Sequence, residues 1–380
     1  MSAADETDGL WPPPRANPDL LGQEQAETQL AAVYAAGRAA HAWLFNGPKG
    51  IGKATLAFRL VRWLFRQGTL EQARVASLPA AADLFGAEPP RPASSALFID
   101  PGDPVFRRVA SGGHADLFTL EPGVDPKRGT PRTEISVAEV RAASTFLAAT
   151  AAEGGWRAVI VDPAEAMNRN AANALLKTLE EPPRGTVLIL ISHAPGMLPA
   201  TVRSRCRRVT LAPLATPTIA ELLQRYRPET TADEAAVLAR LARGSIGHAL
   251  RLASGEGERL RGQLTRLFRA LPAVEPLAVL DLGEAAKGQG AGEGGFALLA
   301  DLLRAWLASI VRVAGGAQPQ EALATEAETI GRLAAAGGLE RWLQVWDNAT
   351  RLLARAEAAN MDLKQVVLAV FLNVEAALKR

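Results

Sequence analysis

The stretch Gly47-Pro48-Lys49-Gly50-Ile51-Gly52-Lys53-Ala54-Thr55 constrains the fold more than any other part of the chain. Gly, four residues, Gly-Lys is the pattern of a phosphate-binding loop, which Ser or Thr completes. Gly47, Gly52 and Lys53 fit it. Such a loop works between a buried strand and a helix, where backbone N–H groups at the helix N-terminus converge on an anion. Ala42 to Phe45 is a short apolar run that reads as the strand, and Thr55 to Phe65 reads as the helix. One position departs from the pattern. Ala54 stands where a hydroxyl would coordinate the Mg²⁺ that bridges the last two phosphates of ATP. Thr55 is one residue late, a rotation of roughly 100° on a helix, and should face elsewhere. The chain reads as a nucleotide switch without its metal-binding hydroxyl.

The surrounding sequence alternates strands and helices. Leu20 to Arg38 and Ser136 to Ala149 have helical spacing. Ala115 to Leu120, Trp156 to Asp162, Thr186 to Ile191 and Arg207 to Leu211 read as strands. Asn170 to Glu180 is a helix stopped by Pro182-Pro183. This alternation predicts an α/β fold with a parallel sheet covered by helices on both faces. The segment from Gln67 to Gly129 is the least regular and reads as an insertion. After Pro213 the β signal stops. Thr216 to Arg225, Ala232 to Ala242 and Ser245 to Leu252 read as three short helices, with Gly255 to Gly257 as an edge. From Glu258 onward everything is helical. Leu302, Leu303, Trp306, Leu307 and Ile310, and Leu339, Trp342, Leu343 and Trp346, form apolar faces suited to helix packing.

Composition narrows the class. Forty-two basic and 40 acidic residues leave a net charge of +2, too balanced to mark a nucleic-acid-binding surface by charge alone. A single cysteine, Cys206, excludes an internal disulfide and a multi-cysteine metal site, and suits a reducing cytosol. Residues 1–18 are acidic and proline-rich, lack the pattern of a secretory signal and read as a disordered tail. No apolar run approaches the length of a membrane span. The expected location is cytoplasmic.

A phosphate-binding loop needs an acid on a second strand to hold its metal. Asp162 ends the run Val159-Ile160-Val161 and is well placed for this. The next position, where an ATPase of this type carries a Glu that polarises water, is Pro163. Glu165 is two residues late and reads as a solvated carboxylate opening a helix.

Two further segments carry a resemblance. Asn168-Arg169-Asn170-Ala171-Ala172-Asn173-Ala174-Leu175-Leu176-Lys177-Thr178-Leu179-Glu180-Glu181-Pro182-Pro183 and Leu198-Pro199-Ala200-Thr201-Val202-Arg203-Ser204-Arg205-Cys206, together with His41-Ala42-Trp43-Leu44, closely resemble the bacterial clamp-loader ATPase family. The resemblance runs from about Leu20 to Leu252. It implies an AAA+ fold: an α/β domain over 19–212, a helical lid over 213–257 and an all-α collar over 258–380. In that family five subunits form an open ring joined at the collar, with ATP at subunit interfaces. The implied partners are the ATPase subunits (gamma/tau) and the delta subunit, with primed DNA and the sliding clamp reached through the assembly. Arg205, in Ser204-Arg205-Cys206, maps onto the arginine finger that reaches a neighbour's γ-phosphate.

Other family positions are altered. Ser192 stands where an Asn or Thr watches the γ-phosphate, and Gly247 replaces an arginine in Gly244-Ser245-Ile246-Gly247-His248-Ala249-Leu250. With Ala54 and Pro163, these imply a subunit that serves a neighbour's ATP site and hydrolyses none itself. The loop from Gly47 to Thr55, with Asp162, is expected to be a degenerate site able to hold ATP, ADP, phosphate or sulfate, with no cofactor required. The family's four-cysteine zinc module is absent here, so no zinc is expected. Arg169 and Lys177 lie on the helix that faces DNA in the family, and are equally compatible with ordinary surface charge. An active P-loop ATPase, kept open by Lys53 and Asp162, is the competing reading. A small-molecule P-loop kinase lacks an arginine-rich lid.

Overall fold

The computed structural model describes residues 11–36, 40–76, 96–123, 132–153, 155–286, 294–318, 326–359 and 361–379. They form two compact units, Met1–Thr218 and Ile219–Arg380.

The first unit is built on a five-stranded parallel sheet. Its strands are β1 (Ala42–Asn46), β2 (Leu117–Leu120), β3 (Arg157–Val161), β4 (Thr186–Ser192) and β5 (Arg207–Thr210), in the order β2-β3-β4-β1-β5. Every residue of β3 and β4 is buried, as expected of central strands covered on both faces. β5 lies at an edge, and only Val209 of its four residues is buried. Side chains alternate between the faces. Trp43, Phe45, Ile160, Ile189 and Ile191 pack into the core beneath α1 (Glu24–Ala35) and α2 (Lys53–Ala76). Ala42, Leu44, Val159, Val161, Leu188 and Leu190 pack into the core that includes α4 (Val137–Ala148) and α5 (Arg169–Glu180).

Local signals set the helix ends. Ser136 and Glu139 form a reciprocal capping box at α4. Asn168 Oδ1 accepts the Ala171 N–H at 2.9 Å and starts α5. The helix after the loop is longer than expected, running to Ala76 through Gly68. Gly155 packs closely on that glycine, since a Cβ on Gly155 would lie 2.8 Å from Gly68 Cα. Of the irregular segment from Gln67 to Gly129, α3 (Pro104–Ala110) and β2 are regular, while 77–95 and 124–131 lie outside the described residues.

Residues 1–10 of the expected tail are likewise outside the described residues, but residues 15–18 run along α2. Two buried arginines hold them there. Arg62 Nη2 donates to Asn17 O at 3.0 Å, and Arg59 Nη1 donates to Pro18 O at 2.6 Å. Arg62 also lies 4.3 Å from the centre of the Phe106 ring, and burial pulls its pKa down to about 9. Arg59 is paired with Glu27 at 2.9 Å, with only 5% and 1% of the two side chains exposed. The same Glu27 oxygen accepts the Leu97 N–H at 2.7 Å.

The second unit is helical. After α6 (Ala200–Arg203) in the first unit, α7 (Thr216–Tyr226) crosses the boundary, and α8 (Ala232–Leu241), α9 (Ile246–Ala253) and α10 (Gly255–Ala270) follow. Gly255 to Gly257, expected as an edge, is instead the first turn of α10, capped by Ser254. Gly257 is required by close packing, because a Cβ there would lie 2.2 Å from Arg251 O. Five more helices complete the unit: α11 (Pro276–Ala285), α12 (Gly294–Ala314), α13 (Ala327–Gly337), α14 (Leu339–Ala359) and α15 (Leu363–Leu378). Phe268 stacks on Trp306 at 4.4 Å with Phe371 beside it. The α12 face is buried throughout. The α14 face divides, with Trp342 fully buried and Leu339, Leu343 and Trp346 exposed. Among the described residues no helix is long and apolar enough to cross a membrane.

Removing one partner from a buried ion pair leaves an uncompensated charge. Glu27→Ala should therefore lower the unfolding free energy by about 3–5 kcal/mol, read from urea denaturation.

Candidate functional site

In a parallel sheet all strands finish at the same edge, and ligands bind beyond that carboxyl edge. β1 leads there into Gly47–Gly52, β3 into Asp162 and β4 into His193. The loop is shaped by its glycines. Gly47 has φ 148°, and a Cβ there would lie 2.5 Å from Leu211 O, so the loop is backed directly against the chain leaving β5. Gln23 ties the two together from outside. Its Nε2 donates to Ile51 O at 3.2 Å and to Ala212 O at 2.9 Å. Pro48 and Lys49 are exposed, Gly50 and Gly52 half-buried and Ile51 buried.

Lys53 opens α2 and is 3% exposed. Its Nζ donates to Gly47 O at 2.7 Å and also to Pro48 O, folding the ammonium back onto the loop's own carbonyls. Burial pulls its pKa down to about 8, against the opposing pull of Asp162 and Glu165. Asp162 moves the other way. Burial raises its pKa from 3.8 to about 7, Glu121 adds to the rise, and Lys53 opposes it. In both groups desolvation outweighs mutual attraction. Ala54 packs its methyl against the core beneath the sheet and Thr55 is buried, so neither offers an oxygen at the Mg²⁺ position.

Two further residues join this cluster. Glu165, expected as a solvated carboxylate opening a helix, lies in a single 3-10 turn (Ala164–Ala166) and points inward. Its Oε1 accepts the N–H groups of His193 at 2.8 Å and Ala194 at 3.2 Å, bracing the end of β4. The other is His193. Ser192 was expected to face the phosphate position, but it is fully buried on the strand face shared by Leu188 and Leu190, with its hydroxyl unpaired. The next residue instead feels the loop. Burial, then Lys53 and Lys49, pull the His193 pKa down to about 4. Alternation along β4 was the signal that could have found it, because Val187, Ile189 and Ile191 face α2. Gly247 lies in the first turn of α9 in the second unit.

The fit for ligands follows from these donors. The loop's N–H groups with Lys49 and Lys53 suit phosphate, and Asp162 stands at the same edge with Glu121 and Glu165 close enough to act on it. A divalent cation lacks its loop ligand.

Arg205 is placed elsewhere. It follows α6, and its guanidinium is paired with Glu180 at the end of α5. Cys206 beside it is buried with its thiol pushed up to about 12, which leaves it unreactive. Arg169 and Lys177 are both exposed on α5.

Comparison with known proteins follows the same arrangement. Residues 103–215, from α3 to the end of the sheet, match the family model described as DNA polymerase III, delta subunit. The chain resembles the delta-prime subunit of DNA polymerase III. It is 38% identical over 244 residues to that of Pseudomonas aeruginosa, covering 63% of this chain and 65% of the relative. With the Escherichia coli delta-prime subunit it shares 33% over 238 residues, covering 62% and 61%. The matched stretch thus spans less than two thirds of these delta-prime relatives. The tau subunit of Escherichia coli is 27% identical over 73% of this chain and 39% of its own. A gamma subunit-related protein of DNA polymerase III from Thermotoga maritima aligns over 94% of this chain and 100% of its own, at 16% identity and a TM-score of 0.42.

The raised pKa of Asp162 has a signed consequence. Between its ordinary value of 3.8 and about 7 the folded state binds more protons than the unfolded chain, so this group's contribution lowers stability as pH rises through that window. Asp162→Asn should remove that contribution. Relative to wild type, the variant should gain melting temperature steadily across the window and show no further gain above it.

Proposed function

We propose that this chain is a delta-prime-type subunit of a bacterial clamp loader that hydrolyses no ATP itself. It scaffolds the pentameric, hetero-oligomeric loader and lends Arg205 to the ATP site of a neighbouring gamma/tau subunit. The delta subunit would be a further partner, with primed DNA and the sliding clamp engaged by the whole assembly. Its expected setting is the cytoplasm, without a membrane partner.

One observation carries this reading: a chain similar to delta-prime subunits has Ala54 where a loop hydroxyl would hold Mg²⁺. Pro163 supports it as well, since the position after Asp162 offers no base. An arginine supplied in trans stabilises transition-state charge on the transferred phosphoryl group. It also makes hydrolysis depend on docking of the neighbour. The loop retains the means to hold ATP, ADP, phosphate or sulfate without turnover, since N–H groups and lysines suffice for an anion. Neither zinc nor another cofactor is needed for this role.

The active-ATPase reading draws on Lys53, Asp162 and the similarity to tau. The two are separated by measuring phosphate release from the purified chain in Mg·ATP. The expected result is no steady turnover. Turnover that disappears in Lys53→Ala would establish the motor reading instead. In the reconstituted loader, Arg205→Ala should reduce hydrolysis at the completed site on the order of 10³-fold.

A further inference from the structure

Arg205 is not a loose surface arginine. Its Nε donates to Glu180 Oε1 at 2.8 Å, and Nη2 lies 2.6 Å from the same oxygen. Nη1 donates to Thr201 O at 3.0 Å and lies 3.4 Å from Ser204 Oγ. The guanidinium carries five N–H donors in a rigid plane. Glu180 grips the Nε side, and Nη1 donates to both Thr201 O and Ser204 Oγ. The edge between Nη1 and Nη2 is directed away from Glu180. That edge is a planar fork matched to two oxygens of one phosphate. The side chain is 36% exposed, and a phosphate reaching that edge would compete with Thr201 O and Ser204 Oγ for Nη1.

The carboxylate itself stands in an unfavourable place for helix stability. Glu180 is the last residue of α5 and Glu181 is its C-cap. Negative charge at a helix C-terminus opposes the macrodipole. Arg205 supplies the compensating charge. The Glu180 side chain is 51% exposed, and exposed pairs add little to global stability. What the pair does supply is direction, because it fixes the plane in which the guanidinium lies.

We propose that Glu180 is a positioning residue for Arg205: it holds the arginine by its Nε side and presents the Nη1–Nη2 edge to a phosphate bound by a neighbouring subunit. This rests on the trans role of Arg205 proposed above. The guanidinium then need not be reoriented when the neighbour's nucleotide arrives, which lowers the entropic part of the barrier.

The test uses the whole loader, reconstituted with its motor and delta subunits, and measures ATPase kcat and KM in the presence of primed DNA and clamp. Five versions of this chain are compared: wild type, Glu180→Gln, Glu180→Asp, Arg205→Ala and the Glu180→Gln/Arg205→Ala double variant, each checked for assembly by gel filtration. Glu180→Gln keeps shape and an acceptor but loses the charge. It should lower kcat by about tenfold with KM nearly unchanged. The double variant should be no slower than Arg205→Ala alone, since the carboxylate then has nothing to position. Glu180→Asp keeps the charge but falls a methylene short, and should also lower kcat. If Arg205→Ala slows the loader and Glu180→Gln does not, the positioning role is overturned and the trans role stands. Additive losses in the double variant, or an Asp variant as fast as wild type, would also overturn it. If Arg205→Ala matches wild type, the trans role itself fails and takes the positioning role with it.

Discussion

A buried ammonium has to find oxygen, and Lys53 finds it in the carbonyls of Gly47 and Pro48. Much of the site's arrangement follows from that. The carbonyls are available because Gly47 presses against Leu211 O and lets the loop turn tightly, while Gln23 fixes its far side. Asp162 beside it is moved chiefly by its own burial, with Glu121 adding to the rise and Lys53 opposing it. His193 is kept neutral for a related reason, as burial and two nearby lysines both disfavour a further positive charge.

The first unit thus separates two properties that the loop motif usually combines. Its shape is maintained by sheet edge, glycines and buried contacts. Its metal chemistry depends on a hydroxyl at position 54, and the methyl group there joins the core instead. A loop can lose the second property and keep the first, because no backbone contact depends on that hydroxyl. Arg205 belongs to a different part of the same unit, held between the ends of α5 and α6. A positive charge at this corner is what the proposed action on a neighbour's nucleotide requires.

Much of the first unit's architecture was legible in the sequence. The strands around Val159-Ile160-Val161 and Leu188-Ile189-Leu190 announced themselves as runs buried on both faces, and Asn168, Ser136 and Pro182 punctuated the helices. The misses share a physical cause. α2 continues past Phe65 through Gly68 to Ala76, although a glycine in a helix interior lowers local propensity. Glu165 turned inward because the end of β4 presents two N–H groups to it. Ser192 occupies the family position, but strand alternation puts it on the face of Leu188 and Leu190 and turns the next residue, His193, to the other side. The division of α14, with Trp342 inside and Leu343 outside, depends on neighbouring helices more than on the spacing of its apolar residues.

The exposed edge of the sheet is occupied by β5, where Arg207, Arg208 and Thr210 all face solvent. A bare edge strand invites a second strand to hydrogen-bond alongside it, and bulky cations are among the means by which proteins prevent this. Two copies meeting edge to edge here would bring like charges together along the seam. Pairing of two copies along this edge is thereby disfavoured.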